Sequence, residues 1–290
     1  MNIIVYLTLA SGLVAMVTGK PISRRPERIV DMTHLLTKDF PYYPGHLNFL
    51  LNISFSGTFV DGKVDLLSND YQTAEHGGTH YDAPRHFCSL KSCWDTQAVP
   101  PERLIGPGVI INVQEQAKNN PDYAVTPGDI KNWEKKYGRI PEGAFVIMNS
   151  GWYKHVKNHT KFLGNDKGNK SNLHFPGFHP EATKWLLDNR EIYCLGVDTV
   201  SIDPGNTTQY MTHRLALVSN LIALENVNNL DAVPEAGAMI YALPIFIKNG
   251  TGGQTRVIAT WDDDGKTSGA PRHVIEAILV LFMTVIAGLF

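Results

Sequence analysis

The sequence predicts a single α/β domain with a mixed β-sheet core and flanking helices. Three observations predict it. Short apolar runs suited to buried strands recur along the chain, among them GVIINV at 108–113 and AFVIMN at 144–149. Segments with helix start and stop signals alternate with them. A chain of 290 residues that is 43% hydrophobic, with no internal repeat or low-complexity linker, has enough apolar material for one sizeable core.

The elements follow in chain order. An apolar run from Ile3 to Val17, closed by the small residues Thr18 and Gly19, reads as a signal peptide over 1–19. No Lys or Arg precedes the run, so a buried terminal element is the alternative. The domain is expected over 24–263, beginning with a strand at 28–36. The segment 126–138 is a marked helix. Thr126 caps it, Pro127 opens it, Asp129 faces its positive end and Gly138 stops it. A second helix starts at Pro180, and the strand EIYCLGVD follows at 191–198. Two further strands are expected at 238–247 and 255–261. Pro244 marks the first of them as an edge or a bent strand.

The last 27 residues, 264–290, are an apolar tail behind small residues, with no basic residue after it. This fits a GPI-attachment signal with its site between Asp264 and Ala270. A short tail anchor or a core helix is the alternative. Five sequons, at Asn52, Asn158, Asn169, Asn206 and Asn249, agree with a glycosylated protein that is secreted or held at the cell surface. In that compartment Cys88 and Cys93 are placed to pair around a short loop, worth about 2 kcal/mol. Cys194, in an apolar run, reads as a buried small residue rather than a nucleophile. The formal net charge is −2 with no basic block, which excludes nucleic acid as a partner and leaves only the tail or a lipid anchor to reach a membrane.

HGGTHYDAPRH, residues 76–86, carries the chemistry. Two glycines and a proline argue against a helix. An extended strand would turn His76, His80, Asp82 and His86 to one face, with Gly78 making room and Pro84 turning His86 inward. Imidazoles and a carboxylate crowded on one internal face call for a cation. The candidate ligands are nitrogen and oxygen, which suits Zn²⁺ or Mn²⁺. No Gly-x-Ser-x-Gly elbow appears, so a serine triad is disfavoured.

The stretch matches His-x-Gly-Thr-His-x-Asp-x-Pro-x-His at every fixed position. In this the chain resembles the cyclase-like metal-dependent hydrolases, of the kynurenine formamidase and isatin hydrolase type. FPYYPG (40–45), FPGFHPEATKWLL (175–187), LGVDTVSID (195–203) and HRLALVSNLIALENVNNLD (213–231) resemble its other blocks. The resemblance implies a swivelling β/β/α fold and two divalent ions. It makes His76, His80 and Asp82 ligands, with His213 and Glu225 as distal ligands and Asp82 and Glu225 bridging. It gives His86 the acid/base role. Tyr43 stands where the formamidases place a substrate-stacking Trp. The implied reaction is hydrolysis of a small aromatic amide. An aryl formamide such as N-formylkynurenine is the first expectation, and an isatin-type cyclic amide the second. A non-catalytic surface binding protein retaining the fold is the alternative. A homodimer is the expected assembly.

One geometric condition stands apart from the resemblance. His213 and Glu225 are twelve residues apart, and one continuous helix would separate them by about 18 Å. The chain must therefore reverse near Ser219-Asn220, between a helix and a strand at 221–226. The histidines at 34, 155, 159, 174, 179 and 273 read as surface or hydrogen-bonded residues.

Overall fold

The computed structural model describes residues 26–59, 62, 64–165 and 170–262. The expected signal segment, the apolar tail, His273 and the sequon at Asn169 lie outside them.

Seven strands close into a ring. In chain order the strands are β1 Arg28–Asp31, β2 Leu50–Phe59, β3 Val64–Gln72, β4 His80–Asp82, β5 Ile105–Asn112, β6 Ala124–Val125, β7 Ala144–Asn149, β8 Gly177–Phe178, β9 Ile192–Val197, β10 Ile222–Glu225, β11 Ala236–Pro244 and β12 Gly252–Trp261. Around the ring the order is β4–β12–β11–β5–β7–β9–β10, and β10 returns to β4. β5, β7, β9 and β10 run parallel, while the other pairings are antiparallel. β1 adds outside β12, and β6 pairs only with β8. β2 and β3 form a separate two-stranded hairpin.

Alternate residues of the parallel strands serve two cores. Ile110, Phe145, Ile147, Cys194, Ile222 and Leu224 fill the inside of the ring. Val109, Ile111, Val146, Met148, Leu195 and Val197 face outward, under the helices. Because both faces are buried, these strands read as continuous apolar runs rather than as alternations.

The helices are α1 Gln114–Asn119, α2 Pro127–Tyr137, α3 His159–Leu163, α4 Pro180–Asn189 and α5 Met211–Val218. α2 starts on the expected cap, with Thr126 and Asp129 forming a reciprocal capping box. The chain reverses at Ser219–Asn220, between α5 and β10, as the spacing of His213 and Glu225 requires.

Three expectations need correction. The first strand ends at Asp31, because the Asp31 carboxylate accepts from the Thr33 amide and turns the chain. Residues 76–86 are not one strand. Gly78 has φ +67°, a left-handed conformation that interrupts extension, and Pro84 heads a 3₁₀ turn to His86, leaving a strand of three residues. β11 is no edge strand, for it lies between β5 and β12. Pro244 is tolerated because pairing with β5 ends at Tyr241.

Cys88 and Cys93 form a disulfide, and Cys194 is buried and free. The sequon asparagines 52, 158, 206 and 249 are all exposed. Two of these sequons also have structural roles. Asn158 caps α3, and Thr251, the third residue of the Asn249 sequon, faces His76.

Candidate metal centre

The closed ring brings three segments together. β4 pairs on one side with β10, setting Glu225 opposite His80, and on the other with β12, setting Gly252 opposite Asp82. Gly252 is needed there, since a Cβ would lie 2.5 Å from the His76 ring. α5 adds His213. Asp203 takes over the capping of this helix: its carboxylate accepts from the amides of Thr212 and His213 and, at 2.6 Å, from His213 Nδ1.

The hydrogen bonds fix which nitrogen of each imidazole is free. His213 Nδ1 donates to Asp203, so Nε2 presents its lone pair to Asp82 (3.4 Å) and Glu225 (3.2 Å). His80 Nδ1 donates to the Gly78 carbonyl, so Nε2 faces Asp82 and Glu225, each at 3.3 Å. Thr251 donates its hydroxyl to Glu75, so it accepts from His76 Nε2. His76 Nδ1 is then left 2.6 Å from Asp82 Oδ1. Three lone pairs and two carboxylates thus converge in a buried place. His80 Nε2 and Asp82 Oδ2 have no hydrogen-bond partner. An array of acceptors with orphaned buried atoms is stable only around positive charge, so the donor set fits a divalent cation.

The protonation tendencies agree. Burial alone would lower the pKa of His80, but Asp82 and Glu225 raise it to about 10. Burial likewise opposes protonation of His213, and Asp203, Asp82 and Glu225 overcome it. Burial would raise Asp82, yet His76, His86 and His213 hold it well below the usual carboxylate range. Without a metal, the cluster draws in protons to balance its carboxylates. His86 differs. Its ring stacks on His76 with centroids 3.8 Å apart, and burial pushes its pKa down to about 4, leaving it neutral.

Two ligand sets of metal-binding dimensions share Asp82. One is His76, His80 and Asp82; the other is Asp82, His86 and His213, with ligand atoms in each within 4.8 Å of one another. Glu225 closes the gap between His80 and His213. The structure therefore gathers the five expected ligands and His86 at one site.

A cavity of about 220 Å³ opens on this cluster, lined by Tyr43, His46, His86, Phe87, Tyr210 and Glu225 among others. Tyr43 sits at the wall, its hydroxyl 2.7 Å from that of Tyr210. Burial, and then this contact, raise the Tyr43 pKa. Tyr210 holds φ +50°, costly for a bulky aromatic residue. The sequence reading missed His46, Glu75, Asp203, Tyr210 and Thr251. Asp203 ends a quoted motif, but its pairing with His213 exists only in the fold. His46 stands one residue past FPYYPG and was open to notice.

Residues 30–204 match the profile of a family described as "Putative cyclase". The chain is 33% identical to an isatin hydrolase of Roseibium aggregatum over 191 residues, 64% of this chain and 71% of that one. It is 25% identical to a kynurenine formamidase of Polaromonas naphthalenivorans, over 81% of this chain and 91% of that one. Among solved structures, isatin hydrolase A from Ralstonia solanacearum superimposes with a TM-score of 0.74 at 30% identity, covering 89% of this chain and 97% of that one. The family match ends at residue 204, short of His213 and Glu225. The case for those two residues rests on the closed ring.

Proposed function

The chain belongs to the cyclase family as an amide hydrolase of non-peptide C–N bonds, and from that premise we propose that it opens a compact cyclic aryl amide of the isatin type. The carrying observation is the cavity. At about 220 Å³ it is smaller than the roughly 300–1,000 Å³ usual for larger ligands. No Lys or Arg lines it to hold an amino-acid carboxylate. The order of the two substrate expectations is therefore reversed. N-formylkynurenine becomes the second reading, supported by the formamidase relatives.

His76, His80, Asp82, His213 and Glu225 are the residues that would hold the divalent metal, as Zn²⁺ or Mn²⁺ and as one ion or two. Such a metal, when bound, acidifies water and polarises a carbonyl. The residues of the chain do the rest. Asp82 and Glu225 offset the charge of the ions. Asp203, Gly78 and the Thr251–Glu75 pair hold three imidazoles in the required tautomers. His86, neutral and against the cluster, carries a proton on an imidazole nitrogen to the departing amide nitrogen. Tyr43 and Phe87 pack the aromatic ring of the substrate, and Tyr43 and Tyr210 offer hydroxyls at the cavity wall.

The setting is part of the same reading: a glycosylated, exported homodimer, tethered by its tail or a lipid. The disulfide at Cys88–Cys93 and the exposed sequons support it.

The test pairs the metal-loaded chain with isatin, N-formylkynurenine and simple aryl formamides, and with His86→Ala. Ring opening of isatin in preference to the others, with a loss of about 10²–10⁴-fold in kcat for H86A at unchanged metal content, is the expected result. Binding of these compounds with no turnover would favour a non-catalytic receptor.

A further inference from the structure

The β2–β3 hairpin is the least supported part of the molecule and the most apolar part of its surface. Its strands are ten and nine residues long, pair only with each other, and stand exposed along both faces. A lone two-stranded hairpin is marginal in water. One face carries Leu51, Ile53, Leu67 and Tyr71, each more than half exposed. The Asn52 sequon lies on the other face, opposite Asp70, so a glycan there leaves the apolar face free.

We propose that this hairpin is an exchange arm, its apolar face covered by a second copy of the chain. The inference rests on the homodimer reading above and names its interface and its consequence. Three observations point to a second copy. The strands of the arm contain no Lys or Arg, which removes an anionic membrane or a nucleic acid as the natural cover. The same chain exposes a second apolar surface, Leu243, Ile245 and Phe246, at the end of β11, with Phe246 79% exposed. In a two-fold pair each arm lies on the partner's copy of that surface, so both are covered at once. Arm and landing surface together then approach the 20–30 residues per side of a stable pair.

The arm is wired to the metal centre at both feet. Before β2, His46 Nδ1 donates to the His76 carbonyl at 3.2 Å. After β3, Gln254 donates to the carbonyls of Ala74 and Glu75, and Glu75 accepts from the Thr251 hydroxyl that faces His76. Seating the arm therefore orders His46 and the Glu75–Thr251–His76 chain, so association and metal retention are linked.

The experiment measures solution mass and metal affinity on the full chain. Wild type is expected as a dimer at micromolar concentration. Leu51→Lys with Leu67→Lys, and separately Phe246→Asp on the landing surface, are each expected to give monomers that bind Zn²⁺ at least tenfold more weakly. If the arm variant fails to fold, the Phe246 variant still decides. A monomeric wild type, or variants that remain dimeric, overturns the interface. Monomers with undiminished Zn²⁺ affinity overturn the linkage. None of these readouts uses turnover, so an inactive but dimeric wild type counts against the hydrolase reading alone.

Discussion

Two fully buried carboxylates sit in this fold, and they are treated in opposite ways. Asp198, just past β9, accepts from the amides of Ser150, Trp152 and Tyr153 and from the Ser150 hydroxyl. Both its oxygens are satisfied from within the chain. Asp82 faces imidazoles instead, and its Oδ2 has no hydrogen-bond partner. Burial pushes Asp198 up to about 6 against those four donors, whereas the imidazoles hold Asp82 down. A carboxylate that supports the fold completes its bonding internally. One that serves chemistry keeps a position open for something the chain does not supply.

Four changes break or sharpen this contrast. The largest effect is expected for Asp82→Ala, which removes the acceptor common to both ligand sets. Turnover should fall by at least about 10³-fold with loss of bound metal, read by elemental analysis. Metal retained at full stoichiometry would erase the distinction. Asp203→Asn should weaken metal affinity by about 10–100-fold, because an amide no longer fixes the His213 tautomer. Titration against a chelator measures it. Asp198→Asn should do the reverse, costing about 2–3 kcal/mol of stability by turning an amide NH₂ toward N–H donors, with metal stoichiometry unchanged. Denaturant melts together with metal analysis decide between the two roles.

The smallest effect concerns pH. His80 in the folded, metal-free chain is raised to about 10 from 6.5, and His213 is raised as well. A raised folded pKa contributes stability that is complete below 6.5 and is lost as pH rises through about 10. The Tm of chelator-treated protein should therefore fall between pH 6.5 and 9.5, by about 2–4 °C per kcal/mol lost. Metal-loaded protein should lack this slope. The same slope in both forms would mean that the cluster does not hold the cation.

Much of this was legible in the chain. The buried parallel strands announce themselves as apolar runs, and the helix at 127–137 carries its whole cap in sequence. His76, His80, Asp82 and His86 are readable because they are local. The reason first given for their convergence was incomplete, since a left-handed glycine and a 3₁₀ turn share the work with a strand of only three residues. Partnerships across long separations were not legible. Asp203 with His213, Thr251 with His76, and Tyr43 with Tyr210 are created by ring closure, and no local pattern encodes them. The hairpin escaped notice because its strands, apolar on both faces, lack the alternation that marks a half-buried sheet.

Closure of the ring also sets an order of events during synthesis. Residues 252–254 of the final strand pair with 80–82, so the ligand strand waits for a partner some 170 positions later in the chain. A nascent polypeptide halted before that strand emerges has every ligand already made and no place to put them. Assembly is then governed by a contact of very long range, the kind that forms late and slowly. Truncation just ahead of residue 252 should accordingly leave a chain that never captures its ion, although it deletes none of the groups that would bind it.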